Sequence, residues 1–334
     1  MTGKNRLPRN DCIMLPIRLF SLLLFLVLSC RTLQATSAPI NNSQTTPPEV
    51  LVAVLQVGDQ IETLRKYMGQ PKITPLSVTV SNASPFDVYF QAKTLFTKSN
   101  RLLFEIKRES LGPPVTPKKN IQPADVLFLV RKSTGILQNI ADFLGVRFNI
   151  KKHAIDTSKT PSDVFMAITT LNRQLNQLLT RRFSPSDVFE EVTLAIGYSE
   201  TLLNRYSGTK PIPSPPPFIV FKTPSDVYFR LEKCTNIISS IYHRAHLPTL
   251  TFQGKQAQPG VISPSDVYDI ASLIVSRLAY LHRAENIIRQ PMDPFYPGLK
   301  FPSHVFQQAG ILEKQLLQLS RLQTPVSEVT GSYR

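Results

Sequence analysis

Residues 223–228 read Thr223-Pro224-Ser225-Asp226-Val227-Tyr228, and this hexapeptide recurs along the chain. Close copies begin at Thr160, Ser184 and Ser263, looser copies at Ser84, Gln122 and Phe301, and a degenerate copy at Thr46. Taking the acidic residue of each copy as position zero, or His304 in the last, the intervals are 38, 38, 38, 24, 39, 40 and 38 residues. Such a period is typical of a repeat protein, in which each unit packs on its neighbours.

The hexapeptide predicts the start of a helix. Its Ser or Thr suits the N-cap, because the hydroxyl can accept a backbone N–H of the first turn. Proline suits the first helical position, where its φ is already helical and its missing N–H costs nothing. The acid then falls at N3, where it can accept the N-cap N–H and face the positive end of the helix dipole. Six aspartates are therefore predicted structural caps: Asp87, Asp125, Asp163, Asp187, Asp226 and Asp266.

The residues after each acid predict an amphipathic helix of about 20 residues. Every copy has Val at +1 and apolar residues at +5 and +15, as in Val227, Leu231 and Ile241, and most copies are also apolar at +8 and +12. Alternating steps of four and three residues are the pattern of helices packed nearly parallel or antiparallel in a bundle. We call the positions +1, +5, +8, +12 and +15 the seam. The predicted fold class is therefore all-α, with eight helices in bundle-like packing.

The connections divide these helices into two sets of four. Most helices are followed by a Pro-rich stretch of about 15–18 residues, which when extended could return along a whole helix. Successive helices could thus be parallel or antiparallel. Only residues 180–183 separate the fourth helix from the fifth copy, and this short link predicts an antiparallel hairpin. We predict four-helix units over residues 46–180 and 184–322, followed by a C-terminal tail over 323–334.

The N-terminus predicts a targeting segment. Four basic residues precede an apolar run over residues 19–28, which is the layout of a secretory signal and too short to span a bilayer comfortably. Val27-Leu28-Ser29-Cys30 resembles the lipobox of bacterial lipoproteins, in which the cysteine is lipidated and becomes the new N-terminus. We therefore predict a signal peptide over residues 1–29, a lipid anchor on Cys30 and a flexible tether over 30–45.

This anchor predicts a location in the cell envelope. Because Arg31 and not Asp follows the cysteine, the outer membrane is the favoured address in a cell with two membranes, with the protein facing the periplasm. The alternative is cleavage near Ala35 or Ala38, which would give a soluble secreted or periplasmic protein.

The charge of the chain predicts anionic partners. The formal charge is +15, and +12 without residues 1–29. Basic residues gather at helix ends and in connections, where they complement helix dipoles and, if the helices are aligned, could form a basic rim. Candidate anion-binding residues are Lys118, Lys119, Lys151, Lys152, Arg181 and Arg182. The expected partner is an envelope protein or an anionic glycan or lipid, and nucleic acid is not expected.

No motif in the sequence predicts an enzyme. A Gly-rich phosphate loop, a nucleophile elbow, His-Glu-x-x-His and Cys-x-x-Cys are all absent. His243 and His246 lie close together at a helix end, but no Cys or acid near them in sequence completes a ligand set, so we expect neither a metal nor a cofactor. Cys234 occupies a predicted core position, where a buried thiol is expected.

Two functions remain in view. The first is a non-enzymatic envelope lipoprotein that acts as a scaffold or binding module for another envelope component. The second is a periplasmic ligand-binding or sensory module for a small anionic molecule. The presence of a ligand pocket would distinguish these two functions. A seam filled by aliphatic side chains leaves no room for a ligand, whereas a cluster of Ser99, Ser133 and Ser199 would favour a ligand pocket.

Overall fold

The computed structural model describes residues 45–72, 78–117, 120–180, 182–254, 262–287, 289–292 and 298–322, all within a compact unit spanning Gln44–Arg334. These residues form the helices α1 (Pro47–Tyr67), α2 (Pro85–Lys107), α3 (Pro123–Leu144), α4 (Pro161–Leu178), α5 (Pro185–Leu203), α6 (Pro224–Arg244), α7 (Pro264–Ala284) and α8 (Pro302–Arg321). They also form two short strands, β1 (Val78–Ser81) and β2 (Thr251–Gly254). The predicted all-α fold of eight helices is confirmed.

Several predictions fall outside the described residues: the signal peptide, the lipid anchor on Cys30, the tether up to residue 44 and the tail over 323–334. Among the helices that are described, none combines the length and the apolar character needed to cross a membrane.

Each helix begins at the proline of its repeat. In all eight copies the side chain at position zero accepts the backbone N–H of the N-cap residue, over 2.7–3.1 Å. In α8 the acceptor is Nδ1 of His304, and Phe301 takes the place of the usual polar N-cap. The helix starts are thus explained by local sequence alone, since the groups that satisfy the first turn lie within the hexapeptide.

The four helices of each half run in the same direction. In the first half one small apolar cavity is lined by a proline and a valine from each helix start: Pro47, Val50, Pro85, Val88, Pro123, Val126, Pro161 and Val164. The second half repeats this arrangement with Pro185, Val188, Pro224, Val227, Pro264, Val267, Pro302 and Val305. Because the four starts of a half meet at one end, its helices are parallel.

In the first bundle α1 lies diagonally opposite α2 and α3 opposite α4, and in the second α5 lies opposite α6 and α7 opposite α8. α1 and α2 each pack against α3 and α4, and α5 and α6 each pack against α7 and α8. The predicted seam forms the core, since Val at +1 is at most 3 % exposed in every copy and the residues at +5 and +15 are equally buried. Cys234 is a fully buried free thiol, as its core position predicted, and burial raises the pKa of that thiol.

The two halves run in opposite directions. α7 packs against α2 and α4. Asp87, at the start of α2, pairs with Arg277 far along α7, whereas Asp187, at the start of α5, pairs with Arg101 late in α2. α4 and α5 are therefore antiparallel, as their short link predicted, but α4 packs chiefly on α1 and α2, and α5 on α7 and α8. The predicted hairpin is thus wrong as a packed pair, because the link leads from one bundle into the other.

The connection over residues 210–222 returns along the outside of α8. Four hydrogen bonds between backbone and side chains hold it there, in the order Lys210–Gln318, Pro211–Gln315, Pro216–Gln307 and Lys222–Ser303. Gly310 permits the close approach, since a Cβ at this residue would lie 2.7 Å from the Pro216 ring. The strands β1 and β2 pair antiparallel, which joins the connection after α1 to the connection after α6.

Candidate functional site

Buried charges lie at the junction between the two halves. Lys98 of α2 is fully buried, and its Nζ donates to Asp269 Oδ1 at 2.9 Å, to Ser265 Oγ at 3.0 Å and to the Asn172 carbonyl at 3.2 Å. Burial lowers the pKa of the Lys98 ammonium and raises the pKa of the Asp269 carboxyl. These three acceptors lie on α4 and α7, so Lys98 joins α2 to both helices.

Three of the predicted cap aspartates belong to the same junction. Asp87, Asp187 and Asp266 each accept the N-cap N–H with Oδ2 and face an arginine of the other half with Oδ1. The arginines are Arg277, Arg101 and Arg173, at 3.3, 3.1 and 2.8 Å respectively. Both oxygens of each carboxylate are therefore engaged within the chain, so each of these aspartates caps its own helix and also pairs with the other half.

The predicted anion-binding residues lie in separate places. Lys118, Lys119 and Arg181 are outside the described residues. Lys151 and Lys152 are exposed in the connection between α3 and α4, where the Lys151 backbone N–H donates to Asp59 of α1 at 2.9 Å. Arg182 is exposed in the link between α4 and α5. The described members of this set therefore do not form one cluster.

Ser99, Ser133 and Ser199 do not line a common pocket either. All three are fully buried, the first two in α2 and α3 of the first half and the third in α5 of the second. The Ser133 hydroxyl donates to the Leu129 carbonyl at 3.1 Å. The three serines thus interrupt two different apolar cores. In the parts of the chain that the structure covers, no group of His, Cys, Asp and Glu side chains is arranged to hold a metal ion.

A groove on the outer side of α3 combines space, aromatic side chains and positive charge. We call it the α3 groove; it has a volume of about 290 Å³ and is lined by Leu111, Phe128, Arg131, Lys132, Gly135, Ile136 and Asn139. The opposite side of α3 packs on α1 and α2. Phe128, Arg131 and Lys132 are exposed in the groove, whereas Ile136 is buried and belongs to the core. Gly135 leaves the floor open, since a Cβ there would meet no atom within 4 Å.

Hydrogen bonds hold the side of the α3 groove that lies opposite α3, which is formed by Leu111 in the connection after α2. The Leu111 N–H donates to Asn100 Oδ1 at 2.7 Å, and Asn100 Nδ2 donates to the Leu111 carbonyl at 2.9 Å, which fastens the connection after α2 to that helix. Lys107 Nζ donates to Asn139 Oδ1 at 2.6 Å and so ties the end of α2 to α3. The groove is therefore a preformed feature of two adjoining elements.

Aromatic rings stand along the same side of α3. Phe128 is 57 % exposed and Phe143 is 59 % exposed, and their separation on the helix corresponds to about 22 Å. Lys132 Nζ lies 5.4 Å from the centre of the Phe128 ring, and Lys107 Nζ lies 5.7 Å from that of Phe143. A cation over an exposed ring offers apolar contact and positive charge together, as at Lys132, whereas Lys107 also pairs with Glu109 at 3.1 Å. Such a surface is complementary to an acidic segment that also carries apolar side chains.

The groove residues are not among the residues predicted from sequence. Phe128 and Phe143 occupy +3 and +18 of the third copy, outside the +1, +5, +8, +12 and +15 seam, and Arg131 and Lys132 occupy +6 and +7. Two aromatic residues outside the seam of one helix were the available signal, because a core-facing stripe does not account for them. Comparison with family models, curated proteins and solved structures gave no match.

Proposed function

We propose that the protein is a non-enzymatic helical scaffold of the cell envelope that binds an acidic segment of another envelope component in the α3 groove. The observation that carries this proposal is the cavity on the outside of α3, with Phe128 at one end, Phe143 beyond the other, and a lysine over each ring. The junction of buried ion pairs supports a scaffold role, because it holds the two bundles in one fixed arrangement.

The chemistry of the groove favours an acidic partner with apolar side chains. Arg131 and Lys132 are exposed on α3 and would face carboxylates, while Phe128 and Leu111 offer apolar contact. A reach of about 22 Å corresponds to roughly 15 residues of a partner helix. The formal charge of +15 would also attract an acidic partner over longer distances at low ionic strength.

The location that we propose is the envelope, with a lipid anchor on Cys30 and the outer membrane favoured over a soluble periplasmic form. It rests on the apolar run over residues 19–28 and the cysteine that follows it. Palmitate should label the protein in growing cells, and Cys30→Ala should remove the label. Cys234→Ala is the matched control, since its buried thiol should not affect labelling. Undiminished labelling of the Cys30→Ala variant would rule out the anchor.

The groove is tested by photo-crosslinking in membranes from the producing cells. A photoreactive residue in place of Phe128 should form a crosslink to one partner. The matched control is Phe229, which holds the same +3 position in the sixth copy and is 38 % exposed, but lies on α6. Substituting Arg131→Glu and Lys132→Glu together should abolish the crosslink at 128, because both cations that face the partner are reversed.

Two results would contradict the groove as the binding site. One is an equal crosslink from positions 128 and 229, which would indicate collisions rather than a site. The other is a crosslink at 128 that survives both charge reversals in a variant whose circular dichroism matches the wild type.

A periplasmic module for a small anionic ligand is the second candidate, and one cavity favours it. This cavity has a volume of about 150 Å³ between α6 and α7 and is lined by polar groups that include Thr235, Asn236, Ser239 and Arg277. Ligand pockets usually measure about 300–1,000 Å³. Arg277 is moreover paired with Asp87 across the junction. Because this cavity is about half the volume of the α3 groove and its arginine is already paired, the α3 groove is the better supported site.

A further inference from the structure

The second half exposes large apolar side chains where the connection over residues 210–222 reaches the start of α6. Four of them are consecutive, and two more precede α8: Phe218, Ile219, Val220, Phe221, Leu299 and Phe301. We call these six residues the apolar tip. Phe221 is 94 % exposed, so its ring makes almost no contact within the protein.

The two parts of the apolar tip form one surface. The ring of His304 lies between them, with its centre 5.1 Å from that of Phe218 and 5.9 Å from that of Phe301. The Lys222 N–H donates to Ser303 Oγ at 3.1 Å, which fastens the turn to the first turn of α8. The tip is therefore a continuous patch on the helix-start end of the second bundle.

The backbone holds Phe221 outward at a cost. Its φ is +61°, in the left-handed region that bulky side chains avoid. The preceding stretch is stiff, because Pro215, Pro216 and Pro217 fix φ and Gln307 Nε2 donates to the Pro216 carbonyl at 2.8 Å. A strained aromatic residue that gains no burial in return points to a role in binding.

The start of α8 departs from the repeat at the same surface. The other seven copies have a polar N-cap and an acid at position zero, whereas α8 has Phe301 and His304. Phe301 has no side-chain acceptor for a first-turn N–H, so α8 keeps only the hydrogen bond from the Phe301 N–H to His304 Nδ1. The change also removes a carboxylate from the patch. Both parts of the apolar tip thus give up local stability for an exposed aromatic ring.

We propose that the apolar tip inserts into the surface of a lipid bilayer. A projecting turn of consecutive apolar residues needs no complementary pocket in a bilayer, whereas a protein partner would have to supply one. Lys300 adjoins the tip, and such a basic side chain suits the headgroup layer above an inserted apolar residue. Lys222 also adjoins the tip but pairs with Asp226 at 3.1 Å. Insertion of the tip would strengthen the membrane binding that a lipid anchor provides, because membrane binding is stable when two weak signals act together. The tip is separate from the α3 groove and does not depend on it.

Flotation with vesicles tests the proposal. The sample is the compact unit Gln44–Arg334, which omits Cys30 and the apolar run, mixed with phosphatidylcholine vesicles with or without phosphatidylglycerol. The wild type should float with both kinds of vesicle. Phe221→Asp and Phe221→Gly should each lower the partition coefficient by about tenfold or more, because a buried phenyl ring is lost. Val115→Asp is the matched control; Val115 is 89 % exposed but lies in the connection after α2, and its change should leave flotation unaltered.

The Phe221→Gly variant separates a loss of membrane binding from a loss of folding. Glycine adopts positive φ readily, so this variant should unfold at the same temperature as the wild type or a higher one. The proposal is overturned if the wild type does not float, or if Phe221→Gly floats as the wild type does. It is equally overturned if flotation needs phosphatidylglycerol and survives Phe221→Gly, because the general positive charge would then hold the vesicles.

Discussion

In the first half of the molecule α1 and α2 face each other across a ring completed by α3 and α4, and in the second half α5 and α6 do the same with α7 and α8. The junction, however, is formed chiefly by α2 and α7, the second helix of one half and the third of the other, with α4 and α5 contributing ion pairs. Lys98 in α2 and Arg277 in α7 both occupy +11 of their copies, yet Lys98 reaches Asp269 at +3 whereas Arg277 reaches Asp87 at position zero. The halves thus share one internal plan and form an unsymmetrical junction.

The halves also differ in what they leave exposed. The first half has a concave surface, the α3 groove, where lysines lie over exposed rings. The second half has the apolar tip, built from a strained turn and a helix start whose N-cap residue is Phe301. All these residues lie outside the common seam. The repeat therefore constrains the core, and the positions that it leaves unconstrained are where the two halves acquired different surfaces.

The largest expected effect comes from breaking the junction at its buried lysine. Lys98→Met would leave the Asp269 carboxylate buried without its cation, which should lower the free energy of unfolding by about 3–5 kcal/mol. Unfolding in urea, followed by circular dichroism, measures the change. The control is the double variant Lys98→Met with Asp269→Leu, which removes both charges and should recover much of the loss. Equal stability of Lys98→Met and the wild type would mean that the pair does not hold the halves together.

Much of the fold follows from the hexapeptide because its physics is local. The cap and the N1 proline place each helix start within a few residues, and the seam positions identify the core from periodicity alone. The local argument does not explain one residue of the motif, the serine at −1. In the structure Ser162, Ser186 and Ser303 accept the backbone N–H that precedes the cap of a neighbouring helix, namely Ala83, Lys300 and Lys222. Such a bond depends on which helices become neighbours, which a single copy cannot indicate.

The direction of the helices and the candidate surfaces could not be predicted from the sequence either, because they too depend on which helices become neighbours. Long connections allow both parallel and antiparallel neighbours, and only the meeting of all four prolines at one end decides between them. The α3 groove needs the connection after α2 to fold back at Leu111, held by Asn100, and these two residues lie outside the repeat pattern. The basic residues predicted to bind anions were selected by charge, and none of the described ones, Lys151, Lys152 and Arg182, lines the α3 groove.

A smaller difference in stability is expected between an aspartate that only caps its helix and one that also forms an ion pair with the other half. Asp226 caps α6 and pairs with the neighbouring Lys222, a partly exposed pair that contributes little, so Asp226→Ala should cost about 1 kcal/mol. Asp266 caps α7 and in addition faces Arg173 of the other half at 2.8 Å with both side chains mostly buried, so Asp266→Ala should cost about 3 kcal/mol. Urea unfolding of the two variants measures the difference. In the Asp266→Ala background, Arg173→Leu should restore part of the loss, because the unpaired guanidinium is then removed. Equal losses for the two aspartates would show that the junction adds nothing to the cap.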